Sequence, residues 1–207
     1  MHPWTPVEKF EKSIADYFGS SYAVSIDCCT HAIELCLRYK NIQETSCPSH
    51  TYISIPFTFI KLGIKWSFID INWQDFYQLG DSNIIDAAVL WRENSYIPGS
   101  LMCLSFQNRK HLSLGKGGMI LLDNAEDYNQ LLKLRYDGRD PYQPWIEQNI
   151  KSIGYHYYMT PEIASIGLEK LEKAKKQSPI IWNQDSYPYL PEMDVFKNLN
   201  IVHKVGC

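Results

Sequence analysis

Helices and strands that alternate along the chain predict an α/β fold in which helices flank a mostly parallel sheet. The strands are indicated by short apolar runs of β type, such as Tyr22–Ile26 and Leu101–Ser105. The helices are indicated by apolar residues at helical spacing after Thr-Pro starts at Thr5 and Thr160. A chain of 207 residues is long enough to bury a core without disulfides or metals.

The first elements set the pattern. A helix over residues 6–18, opened by a capping box at 5–8 with Pro6 at its first position, precedes the strand Tyr22–Ile26. Residues 28–30 then open a second helix. A strand, a tight turn and a helix start are therefore expected in direct succession.

The later elements continue the alternation. A helix over residues 51–62 ends at Gly63, and a strand over residues 66–69 follows. A buried strand that begins at Asn83 then ends at Asp86. The remaining elements are two strands and two helices, predicted at Leu101–Ser105, 117–122, 125–136 and 160–175.

Charge and composition exclude several classes of protein. The net charge of −3 and the pI near 6.1 remove the electrostatic case for a nucleic-acid or anionic-membrane partner. Apolar runs are too short to span a bilayer, and residues 1–4 lack the basic segment that begins a secretory signal. A cytoplasmic protein is therefore expected, with neither nucleic acid nor a membrane as its partner.

The cysteines and histidines form no metal-binding pattern. The six cysteines contain no Cys-x-x-Cys pair, and the six histidines contain no His-Glu-x-x-His. We therefore expect no metal site, and reduced thiols in the core or at a site. The cysteines are Cys28, Cys29, Cys36, Cys47, Cys103 and Cys207.

The segment from Ser105 to Gly118 carries a serine and then a lysine from a strand into a glycine-rich loop. If the amine of Lys110 is partly desolvated there, it becomes nucleophilic near neutral pH and can form a Schiff base with a carbonyl. Taken alone, Lys110 is more simply explained as a solvated loop lysine.

Other candidate groups are individually weak. Asp86 ends a strand where a parallel sheet places its ligand groups, so it could hold the ring nitrogen of a cofactor protonated, or only form a cap or an ion pair. The N–H groups of residues 28–30 and the Thr30 hydroxyl could bind a phosphate, or only cap a helix. Tyr52 could stack on a flat cofactor, or belong to the core.

Taken together, six segments in register resemble the DegT/StrS-type sugar-nucleotide aminotransferases, which are pyridoxal phosphate (PLP) enzymes of the aspartate-aminotransferase fold. Residues 18–33 resemble the FGxxYAVxVxSGTAAL phosphate turn of this family, and residues 47–52 resemble its xPSxTF segment. The other matches are residues 84–88 to VIEDAA, 105–118 to SFHxxKxLxxGEGG, 134–139 to LRxxGR and 154–159 to GYNYRM.

The resemblance implies the large domain of PLP fold type I and a role for each site residue. Lys110 would hold PLP covalently and move protons during the reaction, Asp86 would pair with the pyridine nitrogen, and Tyr52 would stack on the ring. Because relatives share each active site between two subunits, a homodimer is expected, with His156 reaching across. The other expected cofactor contacts are Cys29, Thr30 and Ser105.

The chain also departs from the family. Relatives carry further sheet and helix between the strand at residues 66–69 and the Asp86 strand, and a whole domain after the helix at 160–175; both regions are reduced here. The chain is therefore predicted to consist of a truncated PLP-binding domain over residues 1–177 and an irregular tail over residues 178–207. The tail is expected to lie across the body or on a partner.

Single residues depart as well. Cys29 replaces the glycine of the phosphate turn, and Val89 replaces a glutamine that would bond the ring hydroxyl. Losing one hydrogen bond to a charged group weakens binding by only ~1.5–3 kcal/mol, so cofactor binding could survive any one change. The other substitutions are Gln107 for histidine, Lys116 for glutamate and His156 for asparagine.

These features predict a PLP-dependent aminotransferase that moves an amino group from an amino acid, L-glutamate by resemblance, to a nucleotide-linked keto-sugar. Lysine at position 110 favours transamination, since dehydrating relatives have histidine there. The alternative is a catalytically idle relative that serves as a binding or dimerisation module, which the deletions and Val89 favour. A plain nucleotide-binding protein is disfavoured, because no Gly-x-Gly-x-x-Gly or Gly-Lys-Ser/Thr loop follows a strand.

Overall fold

The computed structural model describes residues 2–197, 199 and 202–205, so Met1 and Cys207 lie outside the described residues. The helices are α1 (Thr5–Phe18), α2 (Cys29–Tyr39), α3 (Ser54–Leu62), α4 (Ala125–Leu134), α5 (Pro161–Lys175) and α6 (Asp194–Lys197). The strands are β1 (Tyr22–Ile26), β2 (Glu44–Pro48), β3 (Lys65–Asp70), β4 (Tyr77–Gln78), β5 (Ile84–Asp86), β6 (Leu101–Ser105), β7 (Gly118–Leu122) and β8 (Val202–Val205). Short 3₁₀ helices lie at Trp145–Glu147, Gln184–Ser186 and Leu190–Glu192.

The strands form two sheets. The larger has the order β1-β7-β6-β5-β4, and the smaller has the order β2-β3-β8 with parallel pairing throughout. The predicted α/β class is correct, but in the larger sheet only β5 and β6 pair in parallel, so it is mixed and not mostly parallel. The connections explain this: β4 and β5 are joined by residues 79–83, too few for the crossover that a parallel pair needs.

One backbone contact joins the two sheets beyond β4. The N–H of Gly80 donates to the carbonyl of Ser46 on β2, with 3.0 Å between nitrogen and oxygen. Gly80 has a φ of 51°, and a Cβ there would lie 2.9 Å from Oγ1 of Thr45. A side chain at position 80 would therefore be strained and would push the sheets apart. The shortened connection after β3 thus bridges the two sheets.

Apolar residues of the central strands alternate between two faces. On β6, Leu101 and Cys103 pack in the cluster that contains the buried side of α2, whereas Met102 and Leu104 pack in the cluster that contains α1. Helix α5 lies against α1 on that second face. The core therefore consists of two apolar layers, one on each side of the larger sheet.

Several predicted boundaries are wrong by a few residues. Helix α1 begins at Thr5, and the capping box does not form: the N-cap is Trp4, which makes no side-chain cap. Trp4 is buried against the rings of Tyr136 and Tyr158, so aromatic packing defines the helix entry. At α5 the predicted cap is present, because the hydroxyl of Thr160 accepts a hydrogen bond from the backbone N–H of Ile163.

Strand β2 was not predicted, because Glu44–Pro48 has neither apolar alternation nor a β-branched run. The tail from residue 178, which is expected to be irregular, lies across the body. It contains two 3₁₀ helices and α6, and its last described residues form β8 beside β3. Within the described residues, no helix is long and apolar enough to cross a membrane.

A buried ion pair ties α1 to the sheet. Glu11 and Arg135 are 5% and 4% exposed, and the Arg135 guanidinium donates to the Glu11 carboxylate. The same carboxylate accepts from the backbone N–H and hydroxyl of Ser25 on β1 at 2.8 and 2.7 Å, and Arg135 also donates to the Ser25 carbonyl at 2.9 Å. One network thus joins α1, β1 and the residue that caps the end of α4.

Replacing Arg135 with methionine should lower the free energy of unfolding by about 3–5 kcal/mol, since Glu11 would be left as an uncompensated buried charge. Urea unfolding followed by circular dichroism measures the loss. The control is Lys12→Met, which removes an exposed ion pair with Asp16 and should change little. Equal losses for the two variants would contradict this role of the buried pair.

Candidate active site

Three strands that run in the same direction end at one edge of the larger sheet. β1 and β6 share a direction because each pairs antiparallel with β7, and β5 is parallel to β6. A cavity of about 570 Å³, here called the strand-end cavity, opens at this edge. Six of the predicted site residues line it: Cys29, Thr30, Tyr52, Asp86, Ser105 and Lys110.

Lys110 lies in the loop after β6 and is more than half buried. Its ammonium makes no hydrogen bond among the described residues, and it lies 5.2 Å from the centre of the Trp182 ring. Burial lowers the pKa of Lys110, while the nearby charge of Asp86 opposes this shift. A buried amine that faces a cavity without an acceptor is suited to react with an electrophile bound there.

Asp86 is the last residue of β5 and is only 5% exposed. Its Oδ1 accepts from the backbone N–H of Ala88 at 3.0 Å, and its Oδ2 accepts from the hydroxyl of Tyr77 at 2.5 Å. Burial raises the pKa of Asp86, and both hydrogen bonds together with the Lys110 charge work against that rise. A cationic ring nitrogen in the cavity would add a further partner for the carboxylate.

The turn between β1 and α2 lines one part of the strand-end cavity. Helix α2 begins at Cys29, and the first N–H groups of a helix have no partner within it. Strand β7 passes very close: a Cβ on Gly118 would lie 2.4 Å from the carbonyl carbon of Cys28. The hydroxyl of Thr30 lies 2.8 Å from that of Ser54 at the start of α3. A dianion would be held here by backbone donors and hydroxyls.

The Cys29 side chain points into the core. Its Sγ lies 3.7 Å from the Cys103 carbonyl, and burial raises the pKa of this thiol well above its ordinary value. Cys29 can therefore contribute a backbone N–H but no thiolate. Tyr52, by contrast, is 59% exposed at the mouth of the cavity, and Ser105 also lines the cavity.

His156 is not brought to the strand-end cavity of its own chain. Its ring is exposed, its Nδ1 lies 2.7 Å from Oδ2 of Asp137, and its backbone bridges to Tyr136. Sequence reasoning gave His156 a contact across a subunit boundary, and that part stays a prediction. Val89, in contrast, lines the cavity, and its apolar side chain offers no donor there.

Four aromatic side chains in the cavity wall were missed. Trp73 and Tyr77 come from the polar connection after β3, and Trp182 and Tyr187 come from the tail. The tail segment over residues 182–190, here called the C-terminal strap, is anchored by its backbone to the body. These hydrogen bonds link Trp182 to Asp75, Tyr187 to His50 and Leu190 to Ser49. The only sign of these four residues in the sequence is an excess of aromatic residues in two segments that lack helical or strand periodicity.

A charged cluster lies beside the phosphate turn. The Asp27 carboxylate lies 2.7 Å from Nδ1 of His31 and accepts from the Lys116 ammonium at 2.9 Å. Burial opposes a charge on His31, but its hydrogen bonds to Asp27 and Cys28 outweigh burial and raise the pKa of His31 to about 9. At neutral pH the cluster therefore places two cations near the turn.

Asp27, Cys28 and His31 also hold metal-type ligand atoms within 4.8 Å of one another, although the sequence predicted no metal site. Both carboxylate oxygens of Asp27 already face cationic partners. A metal ion would have to displace them, so the cluster is better suited to an anion than to a metal.

The residues of the strand-end cavity fit a phosphorylated pyridine aldehyde. Three groups line one cavity: the Lys110 ammonium, which makes no hydrogen bond in the described part of the chain, the buried Asp86 carboxylate and the start of α2. Gly118 leaves room for the turn before α2, because any side chain at position 118 would collide with that turn. These are the groups that would hold the aldehyde, the ring nitrogen and the phosphate of PLP. The fit of PLP to this cavity therefore depends on three separate groups and not on Lys110 alone.

Comparison with known proteins identifies related chains. A family model described as the DegT/DnrJ/EryC1/StrS aminotransferase family matches residues 4–93 and 97–179. An uncharacterised protein of Methanocaldococcus jannaschii is 26% identical over 81% of this chain and 57% of its own length. GDP-perosamine synthase of Caulobacter vibrioides is 23% identical over 81% of this chain and 56% of its own.

A solved structure shares the fold. The sugar aminotransferase Spr1654 of Streptococcus pneumoniae, in its PLP form, superposes with a TM-score of 0.68 at 17% identity, covering 82% of this chain and 59% of that one. The chain thus spans little more than half the length of the proteins it matches.

The His31 imidazolium should titrate near pH 9 in an NMR titration of the folded protein. Since this pKa lies above the ordinary 6.5, the charged pair stabilises the fold fully below pH 6.5, and the contribution is lost as the pH rises through about 9. Asp27→Asn should bring the pKa of His31 down toward 6.5, because the carboxylate that favours the imidazolium is removed. A wild-type His31 that titrates near 6.5 would contradict the assigned ion pair.

Proposed function

Because this chain belongs to the DegT/DnrJ/EryC1/StrS aminotransferase family, we propose that it is a PLP-dependent aminotransferase acting on a nucleotide-linked keto-sugar, with L-glutamate as the amino donor. The family and the fold type predicted from the six motifs are confirmed. PLP, the predicted cofactor, is the group carried by the solved pneumococcal relative.

One observation carries the proposal: Lys110, in the loop after β6, and Asp86, at the end of β5, line the same cavity. A chain could keep all six motifs and still hold the two groups far apart, if its deletions had changed the fold between them. Their meeting in a buried space leaves the amine near the carboxylate, with the phosphate turn forming another part of the wall. This arrangement supports cofactor binding despite the missing segments.

Each group then has a stated task. PLP supplies an electron sink when it is bound. Nζ of Lys110 would hold the cofactor and, once released, accept the proton from Cα of the amino donor; its lowered pKa increases the neutral fraction available for this. Asp86 would keep the ring nitrogen protonated, and the start of α2 would hold the phosphate. Tyr52 would cover one face of the ring at the mouth of the cavity.

The substrate class is inferred from relatives. One curated relative is named for GDP-perosamine synthesis, and one solved neighbour is named a sugar aminotransferase. Arg109 and Lys116 lie in the cavity wall, so an anionic substrate would meet positive charge on entry. The sugar-nucleotide part of the proposal is supported by these names and charges, and the amino donor by the family resemblance.

We further propose that the active unit is a homodimer in which His156 reaches the cavity of the partner. His156 lies outside its own cavity, and the segment before it exposes apolar side chains: Trp145, Ile146 and Ile153 are 61%, 92% and 81% exposed. Burying such a cluster between two copies would remove it from water. A monomeric mass at micromolar concentration in sedimentation velocity would overturn this arrangement.

The idle relative remains the second candidate, because the chain spans only 57% of the first curated relative and Val89 cannot bond the ring hydroxyl. Such a protein would retain the cavity and bind PLP, but it would not exchange amino groups. Reaction with the donor therefore separates the two candidates.

The purified chain mixed with PLP should develop the visible absorption of lysine-bound cofactor, and L-glutamate should bleach that band. Lys110→Ala should abolish the band, because no other amine faces Asp86 in the part of the chain that the structure describes. Lys9→Ala, at an exposed position of α1, is the matched control and should retain the band.

A wild-type protein that stays colourless with PLP would contradict cofactor binding. If colour develops but L-glutamate leaves it unchanged, the protein is better described as the idle relative.

A further inference from the structure

Tyr77 places a buried hydroxyl on the Asp86 carboxylate. It is 6% exposed on β4, and its ring packs against Trp73 with 5.1 Å between ring centres. Its hydroxyl contacts Oδ2 of Asp86 on one side and the hydroxyl of Thr51 on the other. Tyr77 belongs to the short connection between the sheets and lies outside all six family-like segments.

The direction of these hydrogen bonds follows from the proton count. An ionised carboxylate has only acceptors, so Tyr77 must donate its single proton to Asp86 and accept from Thr51. Burial and the charge of Asp86 raise the pKa of Tyr77 well above its ordinary value, so the hydroxyl keeps that proton. The result is a directed chain from Thr51 through Tyr77 to the carboxylate, and a hydrogen bond to a charged acceptor is among the strongest available.

The second oxygen of Asp86 is held as well. Its Oδ1 accepts from the Ala88 N–H at 3.0 Å, so donors on both oxygens oppose rotation of the carboxyl plane. Each carboxylate oxygen accepts more than one hydrogen bond, which leaves acceptor capacity on the side that lines the cavity.

We propose that Tyr77 is a positioning residue: fixed by Thr51, its hydroxyl holds the Asp86 carboxylate in the orientation and charge state that receive the ring N–H of a pyridine cofactor. The inference rests on the proposed function, since it assumes that such a cofactor enters the strand-end cavity. Tyr77 acts only through Asp86 and needs no contact with the reacting atoms.

The pH dependence of cofactor binding follows from this arrangement. Burial raises the pKa of Asp86, and the bond from Tyr77 works against that rise. Removing the hydroxyl therefore raises the pKa further, so that ionised Asp86 persists only at higher pH. The titratable or charged groups near Asp86 on all surrounding elements are Tyr77, Lys110, Cys29, Cys47, Cys103 and Tyr187.

The test uses pyridoxamine phosphate, which has an amine in place of the aldehyde and cannot bond covalently to Lys110. Its affinity therefore reports only on the non-covalent contacts. Its Kd is measured by quenching of tryptophan fluorescence at a series of pH values from weakly acidic to weakly basic. Tyr77→Phe should weaken binding about tenfold at neutral pH, because the Asp86 carboxylate would be ionised less often and no longer held toward the ring N–H. The fall in affinity on acidification should also begin at a higher pH than in the wild type.

Two further variants sharpen the result. Thr51→Val keeps the Tyr77 hydroxyl but removes the hydroxyl that donates to it. This variant should shift the fall in affinity on acidification in the same direction by a smaller amount. Tyr96→Phe removes a hydroxyl that donates to the Ser100 carbonyl at 3.0 Å, outside the cavity wall, and should match the wild type. Thermal unfolding of each variant checks the fold, and Thr51→Val carries the test if Tyr77→Phe does not fold.

A Kd and acid limb of Tyr77→Phe that equal those of the wild type would overturn the inference and leave the proposed function standing. A wild-type protein that binds neither pyridoxamine phosphate nor PLP would overturn both.

Discussion

A buried amine and a buried carboxylate share one cavity, and the account of this molecule depends on that proximity. Removal from water disfavours the charged form of each group, whereas their mutual attraction favours it. For both groups burial is the larger effect, so the pKa of Lys110 is lowered and the pKa of Asp86 is raised. A flat cationic ring with an aldehyde would satisfy both groups at once.

The scaffold meets this constraint through the larger sheet. β5 and β6 lie side by side and in parallel, so the residues after them meet at one edge. β1 reaches the same edge because β7 runs back between it and β6, and Gly118 on β7 allows the phosphate turn to approach its backbone. The aromatic wall, by contrast, comes from the connection after β3, which contains the two-residue strand β4, and from the tail. Tyr77 reaches Asp86 from the connection after β3, and Trp182 of the C-terminal strap lies over Lys110. The connection after β3 and the tail thereby supply part of the cavity wall.

Sequence reasoning was most successful where local pattern and final structure agree. Lys110 and Asp86 could be found because they follow apolar strands that are recognisable alone, and the family-like motifs supplied their roles. Tyr77 and β2 could not be found, because their structure comes from contacts distant in sequence: β2 pairs with β3, and Tyr77 is held by Thr51 and Asp86. The capping box failed for the same reason, since burial of Trp4 outweighs a local hydroxyl cap. The larger sheet is mixed because some of its connections are too short to join parallel strands, and apolar periodicity carries no information on strand direction.

The most direct test of the central claim is to locate the bond to PLP. The chain is incubated with PLP, reduced with borohydride so that any lysine adduct becomes permanent, digested and mapped by mass spectrometry. The account predicts one dominant adduct, on Lys110, which weakens strongly in Asp86→Ala. Labelling spread over exposed lysines, with Lys110 no more modified than the others, would show that the amine and the carboxylate do not form a cofactor site.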